Sequence, residues 1–291
     1  IMRQRHQKNL YDRARAMTPE GFSAARVLDT PQAFAIAMGL PLLVAGIVHW
    51  PSQTLLALHV FLTLFFFGCV LIRLFAAVGG HRLRFPAIRP FRQKDLPVYS
   101  VLVPLYRERE VVPQLIDALA RINWPRSKLD VKLVCEMDDP DTIAEIRRSG
   151  LPPSFELVVV PSGGPRTKPN ALNYALQCAR GEVVAVFDAE DRPHPDQLLE
   201  AWQAFQDGGA RLACVQAPLI IGNFRNNLLT RMFAFEYAAL FRGLLPWLAA
   251  RDLVIPLGGT SNHFRREALE KAGGWDAFNV TEDADLGVRL A

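Results

Sequence analysis

Cysteine is scarce in this chain. Cys69, Cys135, Cys178 and Cys214 are the only four in 291 residues, no two form a CxxC, and each sits in an apolar stretch. That spacing excludes a disulfide scaffold and a cysteine-based metal centre; the four read as small buried hydrophobes of a reducing compartment. Phosphate-cradling glycine loops are missing as well. There is no GxxxxGK[ST] and no GxGxxG, and Gly163-Gly164 is too short to be either. Internal repeats and low-complexity segments are absent. Acidic residues are few in the first third: residues 1–96 hold Asp12, Glu20, Asp29 and Asp95 against twelve Lys and Arg, a balance of +8. Residues 97–291 hold 21 basic and 25 acidic residues, a balance of −4. The net charge of +4 and the pI near 9.0 therefore describe one segment of the chain, and no nucleic-acid partner is expected from them. Half of the residues are hydrophobic and the net charge is low, which excludes intrinsic disorder.

Charge is missing altogether from two long runs, Ala33 to Val48 and Leu55 to Ile72. A bilayer core of ~30 Å takes about 20 apolar residues as helix. The second run meets this. The first is interrupted by Pro41, which membrane helices tolerate. His49 to Gln53 reads as the turn between them, with an interfacial Trp50 and no charge. The pair reads as a transmembrane hairpin over 33–78, between a basic segment 1–32 and a basic linker 79–96. Lys and Arg mark cytoplasmic flanks, so both outer ends are expected in the cytoplasm with the lipid bilayer as partner. A pair of buried core helices is the alternative. A signal peptide does not fit, because 32 residues precede the first run and no small-residue cleavage pattern follows.

From residue 97 onward the pattern alternates. Short β-rich runs at Val98–Val103, Val131–Cys135, Glu156–Val160, Val183–Phe187 and Leu212–Gln216 are separated by helical spacing over Glu110–Ala120, Asp141–Arg148, Asn170–Ala179 and Asp196–Gln206. This predicts an α/β domain, 97–291, with a mostly parallel sheet. Such sheets bind ligands beyond the carboxyl ends of their strands. The polar clusters fall there: Tyr106-Arg107-Glu108, Glu136 to Asp139, Ser162 to Lys168, and Asp188 to Asp191.

With no phosphate loop, a carboxylate-held metal is the natural candidate for phosphate binding. Asp188 and Glu190, at i and i+2 of an extended strand end, point the same way, and hard oxygen ligands suit Mg2+ or Mn2+. The alternative at this point is that the acidic run caps a helix through Asp191. Residues 223–250, aromatic and sparsely charged, read either as a core helix packed on the sheet or as an interfacial helix at the membrane surface.

The ordered set Val103-Pro104-Leu105-Tyr106-Arg107-Glu108, Asp138-Asp139, Lys168-Pro169-Asn170-Ala171-Leu172-Asn173, Phe187-Asp188-Ala189-Glu190-Asp191, Gly273-Gly274-Trp275 and Thr281-Glu282-Asp283 resembles the family 2 glycosyltransferases of the GT-A fold. Within them it is similar to the cellulose-synthase-like membrane polysaccharide synthases of bacteria. The resemblance implies a Rossmann-like GT-A domain with a nucleotide-contacting loop at Pro104, Tyr106 and Glu108. Asp138 would bind the base, with Glu136 able to share that role. Lys168 and Asn173 would line the nucleotide and donor sugar. Asp188 and Glu190 stand where many members have Asp-x-Asp around a Mg2+ or Mn2+ ion. Thr281, Glu282 and Asp283 form the motif that supplies the catalytic base, Asp283. The same three residues also read as a helix N-terminus, with Thr281 as cap; both readings can hold together. Gly258 to Asn262 is a small-residue stretch able to shape an acceptor pocket.

The expected function is inverting transfer from a UDP-sugar, UDP-glucose by the resemblance, to a growing polysaccharide at a bacterial inner membrane, with the catalytic domain in the cytoplasm. Transfer of one sugar to a polyprenyl-phosphate lipid carrier keeps the same fold. A membrane scaffold that binds nucleotide without turnover is the non-enzymatic alternative. Processive members of the family carry a Gln-x-x-Arg-Trp after the Thr-Glu-Asp, followed by more membrane helices. This chain ends at Ala291 and begins at Ile1, so it is expected to be a fragment of a longer protein.

Overall fold

The computed structural model describes residues 10, 12–14, 16–79 and 87–291. Six basic residues of the first third, Arg3, Arg5, Lys8, Arg15, Arg82 and Arg84, lie outside the described residues, so the basic flanks are described only in part. The chain forms two compact units. One contains residues 25–79 and 220–253. The other contains the described residues up to 24, 87–219 and 254–291.

In the first of these units, α1 spans Thr30–His49 and α2 spans Pro51–Val78. Asp29 and Gln32 cap α1 reciprocally, the Asp29 carboxylate accepting from Gln32 N at 2.7 Å and the Gln32 amide oxygen accepting from Asp29 N at 3.2 Å. Pro41 stays inside α1. The joint is shorter than the His49–Gln53 turn expected from sequence: only Trp50 separates the helices. Pro51 sits at the first helical position, where a missing N–H costs nothing and a fixed φ favours the helix. Both helices are long and apolar enough to cross a membrane. They are not a buried core pair: α1 has no buried residue and α2 has only Ala76. Residues 220–253 fold with this hairpin and not as a core helix of the sheet unit. They form the helical segments Leu228–Ala239 and Leu245–Ala249 around a π-helical stretch, Leu240–Leu244. Trp247 lies against the end of α2, where a Cβ on Gly79 would come within 3.1 Å of its indole ring.

The second unit holds β1 (Tyr99–Leu105), α3 (Val112–Ala120), β2 (Leu129–Glu136), α4 (Pro140–Arg148), β3 (Phe155–Val160), α5 (Lys168–Cys178), β4 (Val183–Val186), α6 (Gln197–Gly208), β5 (Cys214–Gln216), β6 (Asn262–Arg265), α7 (Arg266–Lys271) and α8 (Glu282–Arg289). The strands form one sheet in the order β3-β2-β1-β4-β6-β5. The first four are parallel. β6 runs antiparallel to both of its neighbours. β1 and β2 are buried on both faces; Leu, Val and Tyr fill most positions, and the buried Ser100, Asp130 and Lys132 pair with one another. Val101, Val103 and Leu105 enter one core with Leu115, Leu119 and Phe205, while Leu102 enters the other with Leu172 and Leu176.

β6 was not anticipated. Its four residues, Asn-His-Phe-Arg, carry no strand signal, and its burial depends on distant partners. His263 is fully buried between the Tyr99 hydroxyl, 2.6 Å from Nδ1, and the Gln197 amide, 3.1 Å from Nε2. Burial pushes its pKa down to about 3, so it stays neutral. β5, expected as a fifth strand of the parallel set, pairs only with β6, at the sheet edge.

The strand order reverses between β1 and β4, which is where open α/β sheets place ligands. Pro104 marks the place where these strands part. Leu102 O accepts from Phe187 N at 3.1 Å. Two residues on, Pro104 faces the same way and has no N–H to donate, so β4 is not held alongside and a crevice opens.

Candidate active site

Two clefts adjoin at the start of α5. The first, of about 320 Å³, is lined by Pro104, Leu105, Tyr106, Glu108, Glu136, Arg166, Asp188 and Glu190, among others. The second, of about 460 Å³, is lined by Pro169, Gly259, Phe278, Asn279, Val280, Glu282 and Asp283. Thr167 and Lys168 line both.

The β1 loop is held by α4. Arg107 has φ of 58°, a conformation unusual for a side-chain-bearing residue, and its N–H donates to Asp139 Oδ2 at 2.5 Å. Glu108 N donates to Thr142 Oγ1 at 3.1 Å. Asp139 also caps α4, accepting from Thr142 N. Burial opposes its charge, but the hydrogen bonds from Arg107 and Thr142 win and keep its carboxyl below the usual range. This bracing role was missed. An Asp-Pro pair at a helix start was the available signal.

Of the two acids expected at the base, one lines the cleft and the other does not. Asp138 is paired with Arg166 at 2.7 Å and does not line the cleft. Glu136 does line it. It is 9% exposed, and its Oε1 is buried without a hydrogen-bond partner. Burial and the nearby Asp138 charge raise its pKa to about 7, against the opposing pull of Arg166.

Lys168 joins the two clefts. Its Nζ donates to Asp188 Oδ1 at 2.5 Å and to Gly259 O at 2.6 Å. A Cβ built on Gly259 would stand 3.5 Å from Asp283 Oδ2 and 3.8 Å from Lys168 Nζ, so this glycine lies between base candidate and lysine. Asp188 N donates to Asp191 Oδ2 at 2.8 Å, and the Thr260 hydroxyl also donates to Asp191. Asp191 therefore ties its own loop to the stretch just ahead of β6. It does not cap a helix, since α6 begins only at Gln197. Asn173 is buried and lines neither cleft. Its amide clamps Trp275, donating to Trp275 O at 2.6 Å and accepting from Trp275 N at 3.0 Å.

Glu282 and Asp283 occupy the first turn of α8 and line the second cleft. Thr281 takes the cap position, but its hydroxyl bonds Asn279 Oδ1 at 3.1 Å and caps no backbone N–H. It is exposed and lines neither cleft.

Carboxylates crowd the shared wall. Burial raises the pKa of Asp188, and the charges of Glu190 and Asp283 add to this, while Lys168 pulls it down. Burial also raises Glu108, with the charges of Glu190 and Asp188 adding. Among the described residues no three His, Cys, Asp or Glu side chains converge as a complete protein-made metal site. The donor set still fits a hard dication. Mg2+ commonly takes one or two carboxylates and completes its shell with water and substrate phosphate. Asp188 keeps one oxygen clear of Lys168, Glu190 is exposed beside it, and a cation there would relieve the mutual repulsion.

A family model described as Glycosyltransferase like family 2 matches residues 97–291. The chain belongs to this family. It therefore carries a family 2 glycosyltransferase domain. One relative is the probable glucomannan 4-beta-mannosyltransferase 1 of Arabidopsis thaliana, 31% identical over 206 residues, covering 67% of this chain and 36% of that protein. Another is the beta-monoglucosyldiacylglycerol synthase of Trichormus variabilis, 28% identical over 287 residues, covering 94% of this chain and 58% of that protein. The glycosyltransferase chain thus spans about a third to three fifths of the length of these curated relatives. A solved structure, the mannosyltransferase PcManGT from Pyrobaculum calidifontis in complex with GDP-Man and Mn2+, superposes with a TM-score of 0.58 at 24% identity, over 81% of this chain and 63% of that one. It shows the shared GT-A fold.

Proposed function

We propose that this chain is the donor-binding and catalytic part of a membrane-anchored, inverting glycosyltransferase that moves a hexose from a UDP-sugar to an acceptor hydroxyl. The observation that carries this reading is the pair of clefts joined at Lys168, with Asp188 and Glu190 on one side and Asp283 on the other. The first cleft takes the nucleotide diphosphate and the second takes the acceptor. Asp188 and Glu190 would hold Mg2+ or Mn2+, which when bound stabilises charge on the diphosphate leaving group. Asp283 accepts the proton of the acceptor hydroxyl as its oxygen attacks the anomeric carbon. The bond from that carbon to the diphosphate breaks on the opposite face, the nucleoside diphosphate departs, and configuration inverts.

A lipid acceptor is the second reading, in place of a growing polysaccharide. It is supported by the relative named for a glucosyldiacylglycerol, whose similarity extends over 94% of the chain, hairpin included. The exposed Phe278 and Val280 at the second cleft also suit an apolar acceptor. Transfer assays with diacylglycerol and with oligosaccharide acceptors, using the full-length protein in membranes, separate the two. Glucosylated lipid supports the second reading, and chain extension alone rejects it.

Glu136 makes donor binding pH-dependent. Below about pH 7 its neutral carboxyl can accept from uracil N3–H and donate to a flanking carbonyl. Above that pH the donor is lost. UDP affinity is expected to fall up to about tenfold between about pH 6 and about pH 8. Glu136→Gln, which keeps one donor and one acceptor, should bind UDP with no such dependence. Titration calorimetry across this range checks it, and a flat profile for the unmodified protein would contradict it.

The hairpin and residues 220–253 are proposed to meet the bilayer together. Exposed Leu229, Met232, Phe233 and Phe235 supply apolar surface, and Arg251 stacks on Trp247 with its guanidinium 4.1 Å from the ring centroid. In a variant keeping Trp247 as its sole tryptophan, lipids brominated near the headgroup should quench its fluorescence. Quenching only by aqueous iodide would defeat this placement.

A further inference from the structure

The segment ahead of the hairpin carries an unexpected set of contacts. Sequence alone marks residues 1–32 as a basic flank, yet the described residues up to 24 fold into the sheet unit. Ala14 is 1% exposed and sits in the core with Trp275 and Leu269; Leu10 and Met17 pack on the same core. The Thr18 hydroxyl lies 2.9 Å from Gly273 O and 3.1 Å from Trp275 O. Ser23 Oγ donates to Asp276 Oδ1 at 2.9 Å, and Ala24 N donates to Asp276 Oδ2 at 2.5 Å.

These contacts converge on the loop that leads to Asp283. Gly273 and Gly274 have φ of +84° and +63°, which turns the chain sharply. A Cβ on Gly273 would meet Pro19 at 2.8 Å, so the segment presses directly on the turn. Asp276 is fully buried, and no cation is paired with it among the described ion pairs. A buried carboxylate depends on its hydrogen bonds. Among the described residues three groups donate to Asp276, and two of them belong to Ser23 and Ala24. The third is Phe278 N, 3.2 Å from Oδ1, at the start of the stretch that lines the second cleft.

We propose that residues 16–24 are a strap that positions the 276–283 loop, with Thr18 and Ser23 as positioning residues that set where Asp283 meets the acceptor. The strap acts through Asp276: its two donors fix the carboxylate, and the carboxylate fixes Phe278 N and the chain running to Thr281. Catalysis close to an optimum geometry is sensitive to displacements of about 1 Å. Loosening the strap should therefore slow transfer and leave the donor cleft, on the far side of Lys168, unchanged. This rests on the reading of Asp283 as the base.

The test uses the full-length protein in membranes, with Thr18→Ala, Ser23→Ala, the double variant, and Thr18→Ser as the conservative control. The double variant should lose about tenfold or more in kcat for transfer while its UDP dissociation constant stays within about twofold. Thr18→Ser, which keeps the hydroxyl, should restore the rate of Thr18→Ala. Unchanged kcat in the double variant would overturn the proposal. So would a parallel loss of UDP binding and melting temperature, which marks general unfolding. Asp283→Asn measured alongside keeps the two readings apart: an active Asp283→Asn enzyme rejects the base, and a strap-insensitive enzyme that still needs Asp283 rejects the strap alone.

Discussion

Asp283→Asn should lower sugar transfer by roughly a thousandfold, about 4 kcal/mol of barrier, and leave UDP binding nearly unchanged. Asn is almost isosteric and keeps the first turn of α8 intact, but it cannot take a proton at neutral pH. Asp283 lines only the second cleft, so the donor should still bind. A Glu282→Gln variant is the useful companion. Glu282 is buried beside it, and burial, the largest influence on it, raises its pKa despite the nearby Lys168. If Glu282 were the base, its variant and not that of Asp283 would show the large loss. Single-turnover rates with saturating donor separate these outcomes from any change in affinity.

The second large effect is expected at Asp188. Asp188→Asn removes the charge that pairs with Lys168 and one of the two carboxylates proposed for the dication. Transfer should fall by about 100-fold or more, and UDP affinity should become insensitive to added Mg2+ or Mn2+. In the unmodified protein a chelator should have the same consequence, reversed by adding the ion. The pH response has a defined sign. Asp188 and Glu108 both have raised pKa values, chiefly from burial, so protons compete with the cation as pH falls. The metal concentration for half-maximal activity should therefore increase toward acid pH. Full activity in excess chelator would remove the metal from the reaction.

Much of the sheet unit was readable from sequence because its causes are local. The β4 run is apolar without interruption since both faces of that strand are covered, β1 and β2 depart from this at Ser100, Asp130 and Lys132, and the polar ends follow in order because parallel strands point the same way. What was not readable depends on long-range pairing. β6 is four mostly polar residues whose burial rests on Tyr99 and Gln197. Asp191 looked like a helix cap, but Thr260, 69 residues away, claims it. Asn173 carries a motif residue's identity, yet its amide is committed to Trp275. The strap is the clearest case. Thr18 and Ser23 resemble any polar residues in a basic flank, and only the partners at Gly273, Trp275 and Asp276 show what they do.

The most direct measurement is product formation from a panel of UDP- and GDP-sugars by membranes holding the full-length protein, with and without chelator, with the anomeric configuration of the product determined. An α-linked UDP-sugar should be consumed only with a divalent ion and should yield a β-linked product, and this turnover should vanish in Asp283→Asn. Retention of configuration, or undiminished turnover in Asp283→Asn, would contradict an inverting transfer that uses Asp283 as its base.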